Sequence, residues 1–395
     1  MNVADPEDIA ALHAHLAWPR GRDLGAADLP AWLERLARAV AARGATELGE
    51  LATAVVLDPD SPDRLYDLGY ALIDAGAPSI AATVLWRCLE LVGESEEVVC
   101  ELVSALESAL AYGDAFAILE SRAELRARSF LCRYLYAFDA AMTGRLAITR
   151  AALAELDADS TDTAAMRATI AGFVERADRV AGACPLDGAD LRGWHYVLAG
   201  GLLLHQSPYG FDGPMRGRYA YLRDSLDRVA FGLDRLVALV RAAGVVPPCV
   251  YAPPGPGHQA VARALADRLG IPFAPWPAVG IPAPGIVALY DLAQLAPAEL
   301  PRLVERRAGQ ILYAHASPWT RDCPIAPDVT TLLYQTIDPP DSFEALATSE
   351  RLAEDELAAD EPARFDALVA RAWPLAPGAR MRLYAGGPVA SNRFV

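Results

Sequence analysis

Residues 62–95 read PDRLYDLGYALIDAGAPSIAATVLWRCLELVGES, and this stretch decides the fold of the first half of the chain. Leu65, Leu68, Gly69 and Leu72 recur at offsets of three and four, which puts them on one face of a helix. Gly76 breaks that helix. Pro78 stands where a second can begin, because a first helical turn does not need proline's missing N–H. Ala81, Leu85, Cys88 and Leu91 form the apolar stripe of the second helix, and small residues at Gly69 and Ala81 let the pair approach closely.

Working outward, turn glycines are expected at Gly44, Gly76, Gly113 and Gly144, at intervals of 32, 37 and 31 residues. The segment around Pro59 reads ATAVVLDPDS, and residues 96–121 and 130–156 keep the helical period. Residues 62–95 resemble a tetratricopeptide repeat, whose period is about 34 residues. The resemblance rests on the Leu68-Gly69 pair, Gly76, Ala81 and the LEL run Leu89–Leu91. The chain departs from the family at Leu65, where tryptophan is common, at Leu85, where an aromatic is usual, and at Gly93, where proline is. Irregular hairpins would keep the same period in the later units.

A lone hairpin cannot bury its apolar face, so hairpins of this kind stack. The resemblance implies a curved array whose concave face takes a protein or peptide partner. The other reading is an array that packs only on the rest of its own chain. A further helix is expected over residues 163–180. The ACPLDGADLRG segment that follows marks a boundary between residues 1–183, a helical array, and 184–395, an α/β domain.

Beyond Arg192 the pattern changes. Trp194–Gly201 reads as apolar and β-prone, and Tyr219–Ala242 as one long helix. Short strands are expected at Cys249–Ala252, Gly285–Tyr290, Gln310–Ala316 and Val329–Tyr334, with helices at His258–Leu269 and Pro297–Arg307. Strands alternating with helices predict a mostly parallel sheet, whose ligands would sit beyond the carboxyl ends of the strands.

Three clusters in this half are candidate sites. In CVYAPPGPGHQAVARALADRLGIPF (249–273) a strand runs into a turn with Gly255 and Gly257 and a helix starting near His258. Glycines admit close approach of a ligand, and a helix start presents free N–H groups to an anion. PPGPG is not GxGxxG, and its prolines remove donors, so a plain structural turn is the competing reading. Residues 220–335 resemble a phosphoribosyltransferase around its first phosphate-contacting loop. That family places two adjacent acids and a Thr/Gly-rich loop after a later strand. Here IVALYDLAQLAP carries only Asp291, so the resemblance implies a surviving pocket rather than the transfer reaction.

The second cluster, LLLHQSPYGFDGPMRGRYAYLRD (202–224), offers His205, Asp212, Arg216, Arg218 and Tyr219. Arginine forks suit a carboxylate or phosphate and tyrosine can stack on a planar group. A surface loop whose arginines meet this protein's acids accounts for it equally. The third, ILYAHASPWTRDCP (311–324), holds His315 with Ser317 and Asp322 on one loop. That is not how a catalytic triad is distributed, and no GxSxG elbow is present. Residues 349–373 read as a solvated acidic helix pair with an apolar inner face.

Composition narrows the function classes. The 395 residues carry a formal net charge of −16, which disfavours nucleic acid and anionic lipid as general partners. All 35 basic residues counted as Lys or Arg are arginine, so no Schiff-base or Walker A lysine is available. The six cysteines form no CxxC pair, and neither they nor the histidines suggest a metal site. No cofactor is implied. No membrane span or basic leader is evident, which makes the cytoplasm the expected location. The leading expectation is a non-catalytic interaction or adaptor protein. The alternatives are an enzyme or sensor for a phosphorylated or nucleotide-like small molecule, and a purely structural subunit.

Overall fold

Alanine and leucine at helical spacing build the first part of the molecule. The computed structural model describes residues 6–25, 27–210, 215–274, 276–277, 280, 284–346, 362–373 and 375–390. The chain divides into two compact units, Met1–Ile170 and Ala171–Val395. The first is helical: α1 (Pro6–Leu16), α2 (Leu29–Ala41), α3 (Thr46–Leu57), α4 (Pro62–Asp74), α5 (Pro78–Val92), α6 (Glu96–Ser108), α7 (Tyr112–Glu120), α8 (Ala123–Arg128), α9 (Phe130–Met142), α10 (Leu146–Ala154) and the start of α11 (Thr161–Arg179).

One turn closes the hairpins α2–α3, α4–α5, α6–α7 and α9–α10. A residue with positive φ stands at Gly44 (88°), Gly76 (76°), Leu110 (61°) and Gly144 (78°). The next N–H reaches back five residues each time: Ala45 to Val40, Ala77 to Leu72, Ala111 to Leu106 and Arg145 to Ala140. This is the Schellman closure of a helix end. The third turn residue is Leu110, not Gly113, which lies inside α7. Glycine is the usual occupant of this conformation, and a leucine there hides the turn from a search for glycines. The spacing becomes 32, 34 and 34 residues, from Gly44 through Gly76 and Leu110 to Gly144.

Packing follows the predicted stripes. Leu65, Leu68, Leu72, Ala81, Leu85, Cys88, Val99, Leu102 and Leu106 join one core cluster that runs from Leu12 to Cys132. A Cβ on Gly69 would stand 2.5 Å from Leu85 Cγ, so α4 and α5 need a glycine at their contact. Ser129 caps α9, accepting from the Cys132 N–H at 3.1 Å, and its hydroxyl donates to Glu96 at 2.6 Å, fixing α9 to the start of α6.

The second unit is α/β. After α11 come α12 (Leu191–Ala199), β1 (Leu202–Leu203), β2 (Tyr219–Arg223), α13 (Leu226–Ala242), β3 (Val250–Tyr251), α14 (Pro256–Leu269), β4 (Phe273–Ala274) and β5 (Gly285–Asp291). Then follow β6 (Glu305–Arg306), β7 (Gln310–Pro318), β8 (Val329–Asp338), α15 (Pro362–Ala372) and β9 (Gly378–Ala379). The main sheet runs β1-β8-β7-β5-β3-β4, with β2 also pairing β8 beyond β1, and all of these pairings are parallel. The central strands read GIVALYD and QILYAHASP and are buried along their whole length, as strands covered on both faces should be. β6 and β9 pair antiparallel as a separate ribbon.

Three predicted elements differ. Trp194–Gly201 is the end of helix α12: Asp190 accepts the Gly193 N–H at 2.9 Å as its cap, and Gly200 at φ 73° closes it. All nine residues of α12 are buried, which removed the amphipathic alternation that separates helix from strand. Tyr219–Ala242 is a strand followed by a helix; Ser225 caps α13 by accepting the Arg228 N–H at 3.3 Å. Residues 297–307 form a short 3-10 segment (Pro297–Arg302) and β6, with Pro301 inside the segment. Of the acidic stretch 349–373, the described part is α15 and the adjoining Trp373; Leu352 and Leu357 lie outside the described residues. No described helix is long and apolar enough to cross a membrane.

Candidate functional site

Parallel strands bring their carboxyl ends to one edge, and here that edge is rich in polar side chains. β3 leads through α14 outward to β4, whereas β5 leads the other way to β7, so the exits of β3 and β5 diverge. Such a switch point is where open α/β sheets leave a crevice. The Pro253–Gly257 turn sits on one side of it, with Gly255 at φ 136° as the residue before α14. Gly257 is buried between Phe343 and Tyr290; a Cβ there would be 3.3 Å from both.

The register places Leu289 beside Ala314 and Asp291 beside Ala316, so Tyr290 lies next to His315 on one face of the sheet. Their rings stack at 5.7 Å. Asp224, just past the end of β2, joins them. One of its carboxylate oxygens accepts from the Tyr290 hydroxyl at 3.0 Å and lies 3.0 Å from His315 Nε2. The other accepts from the Ser225 amide at 2.9 Å and meets Arg228 at 3.5 Å. Burial alone would push the Asp224 carboxyl up, but the His315 imidazole, the Ser225 amide and Arg228 more than offset it and hold it below its ordinary value. His315 Nδ1 faces α13 at Gly232, where a Cβ would sit 3.1 Å from that nitrogen.

His258, at the start of α14, accepts the Tyr290 N–H on Nδ1 at 3.0 Å, which requires that nitrogen to be unprotonated. Burial lowers its basicity, so the ring is a neutral tie between helix and strand. On the opposite face of β5, Asp291 accepts from the Tyr334 hydroxyl at 2.8 Å and from the Ala293 amide at 2.9 Å. Burial pushes the Asp291 carboxyl up; the Ala293 amide, Tyr334 and the exposed Arg321 oppose that push.

The second predicted cluster comes apart. His205 and Tyr219 are buried partners, Nε2 to hydroxyl at 2.9 Å, and burial with Arg192, Arg228 and Arg235 nearby pushes His205 down to about 3. Arg218 is buried elsewhere, donating to the Val389 carbonyl at 3.1 Å with its guanidinium 5.1 Å from the Trp319 ring centroid. Arg216 is exposed and reaches the Gly188 carbonyl at 3.3 Å. Asp212 lies outside the described residues. Gly255, Gly257, His258, Asp291 and His315 thus converge at the carboxyl edge; His205 with Tyr219, Arg216 and Arg218 do not form one site with each other.

Asp224, Tyr290, Tyr334 and Arg321 belong to the edge and were missed by sequence reading. Their signal was the Asp224-Ser225 pair, an acid at a strand end followed by a helix cap, which disappears once Tyr219–Ala242 is taken as one helix. Chemically, each acid of the edge already holds a tyrosine, while the buried His315 Nδ1 meets no hydrogen-bond partner among the described residues. The described residues hold no group of three or more His, Cys, Asp or Glu placed to bind a metal. No protein-family model matches this sequence, and no curated protein matches it.

Proposed function

We propose that the chain is an adaptor whose N-terminal helices form a tetratricopeptide-like array that docks a basic protein segment. The observation that carries this reading is the turn repeated at Gly44, Gly76, Leu110 and Gly144 with one backbone closure, in a unit with one shared core. Arrays of this kind present the first helices of their hairpins as a continuous surface. Here α4 offers Tyr66 and Tyr70, the latter 52% exposed, next to Glu97 and Glu101 of α6. Burial, then Glu101 and Glu97, raise the Tyr66 hydroxyl, and burial with Asp74 raises Glu101, so the face is crowded with negative charge. Tyrosine planes beside carboxylates suit arginine and lysine side chains. The acids of the carboxyl edge, each tied to a tyrosine hydroxyl, support a non-catalytic role for the α/β unit.

A fluorescent Arg/Lys-rich decapeptide tests this by anisotropy. The variant Glu97→Arg with Glu101→Arg should lose at least tenfold in affinity, while reversing Asp227 and Asp234 on α13 leaves it within twofold. Equal losses from both pairs would mean non-specific attraction to an acidic chain and would sink the reading. The runner-up, a sensor of a phosphorylated metabolite, draws on the switch point at Gly255 and the exposed Arg321. A ligand at a hundred times its dissociation constant would add about 2.7 kcal/mol of stability, to be lost in Arg321→Ala.

A further inference from the structure

Two of the six cysteines meet inside the helical unit. Cys100 on α6 and Cys132 on α9 are free thiols whose sulfurs stand 3.7 Å apart. Cys88 and Cys249 instead point their sulfurs at the carbonyls of Pro62, at 3.3 Å, and Pro284, at 3.9 Å. The Cys100–Cys132 contact is held from one turn away. Ser129 Oγ donates to Glu96 Oε1 at 2.6 Å, and the two cysteines follow four residues later on α6 and three later on α9, on the same helix faces. Drawing the sulfurs to the bonded distance of about 2 Å takes a shift of roughly 1.7 Å, the scale of a side-chain rotation.

The two surroundings differ in a way that suits disulfide exchange. Cys132 is fully buried in the first turn of α9, with its own N–H on the Ser129 hydroxyl at 3.1 Å. With Cys100 as donor in the sulfur contact, that bond, then the Ser129 hydroxyl and Arg128, outweigh burial and bring the Cys132 thiol down to about 7. The same contact, with burial, pushes Cys100 up. Burial pushes Cys88, Cys184 and Cys323 up to about 11, about 12 and about 11. Cys100 is the half-buried member of the pair, so a reagent enters on its side.

We propose that Cys100 and Cys132 form a reversible disulfide, which makes the contact of α6 with α9 a redox-modification site of the helical unit. Its oxidant is an uncharged small-molecule disulfide, because Glu96 and Glu101 beside Cys100 repel an anionic one. The Cys100 thiolate attacks one sulfur of that disulfide and expels the other as a thiolate. The Cys132 thiolate then attacks the Cys100 sulfur and expels the second. Both cysteine protons pass to the released thiolates, so the two protein thiols lose two electrons and the small disulfide becomes two thiols. The bond closes a loop across 32 residues and ties two successive hairpins, whichever functional reading holds.

The unaltered chain, equilibrated with 2-hydroxyethyl disulfide and 2-mercaptoethanol at a series of ratios, tests this. After alkylation and cleavage at arginine and glutamate, fragment Val98–Glu101 should appear joined to Ser129–Arg133. Its absence at every ratio, with or without 2-mercaptoethanol adducts, would overturn the proposal. Repeated in urea, the titration separates geometry from chance encounter. The folded chain should keep the bond to a thiol-to-disulfide ratio about tenfold or more above that of the unfolded chain, and the oxidised chain should melt several degrees higher. Equal ratios in the two states would mean that the fold does not bring the sulfurs together. The thermal gain should vanish in Cys132→Ser; a gain that persists there would place the bond elsewhere and equally overturn the assignment.

Discussion

Two buried acids show how differently one residue type can be partnered by its surroundings. Asp139 on α9 is fully buried, and burial followed by the neighbouring Glu107 carboxyl raises its pKa well above its ordinary value. A carboxyl with a raised folded-state pKa binds its proton more tightly when folded. Its contribution to stability is therefore greatest in acid and declines as pH climbs from about 4, its unfolded value, toward the folded one. Asp139→Asn keeps the shape and removes the titration. Its midpoint at pH 7 should exceed that of the parent, by about 2–4 °C for each kcal/mol relieved, with the gap closing near pH 4. A lower midpoint at every pH would show that the carboxylate itself is needed. Asp328, by contrast, is met by an amide and two arginines. It accepts from the Leu312 amide at 2.8 Å and pairs with Arg306 at 2.7 Å and Arg380 at 3.0 Å, all inside the α/β unit. Asp328→Ala would strand two arginines and should cost about 3–5 kcal/mol in chemical denaturation. A loss below 1 kcal/mol would mean that water takes over both cations.

At the scale of elements, the turns give predictions of opposite sign. Gly76 and Gly144 hold positive φ with open space around a would-be Cβ at Gly76, so Gly76→Ala should cost about 1 kcal/mol through backbone strain alone. Gly113 lies within α7 and a Cβ there would also meet nothing, so Gly113→Ala should gain about 0.5–1 kcal/mol. If Gly113→Ala destabilised instead, the turn would belong at Gly113 and not at Leu110. The first hairpin was legible because α4 keeps one wet face: Leu65, Leu68 and Leu72 are buried while Tyr70 is exposed. The central strands were legible for another reason, their short β-branched and aromatic runs bounded by Gly285, Gly309 and Pro327. α12 was not, since a helix buried all round carries no periodic contrast. The carboxyl edge was half legible. Gly255, His258, Asp291 and His315 stand out by residue type, but Asp224 and Tyr290 reach them only through the sheet register, across 91 residues in the case of Asp224 and His315.

For the molecule as a whole the governing quantity is charge: 51 acids against 35 arginines leave −16. Several acids are paired with arginine, as in Arg87–Asp60 at 2.8 Å and Arg302–Glu299 at 2.5 Å, yet the excess acids must repel one another in any compact state. Screening shortens that repulsion to about 10 Å at 0.1 M salt. The same screening weakens exposed ion pairs, each of which contributes about 0–1 kcal/mol at best, so the two effects oppose. With acids in excess by 16, repulsion should dominate. Raising sodium gluconate from about 10 to 300 mM, beyond which the Debye length is already short, should therefore raise the thermal midpoint by a few degrees and then level off. A midpoint that falls with gluconate would show that the arginine–carboxylate pairs, and not the surplus of acids, set the electrostatic balance of the fold.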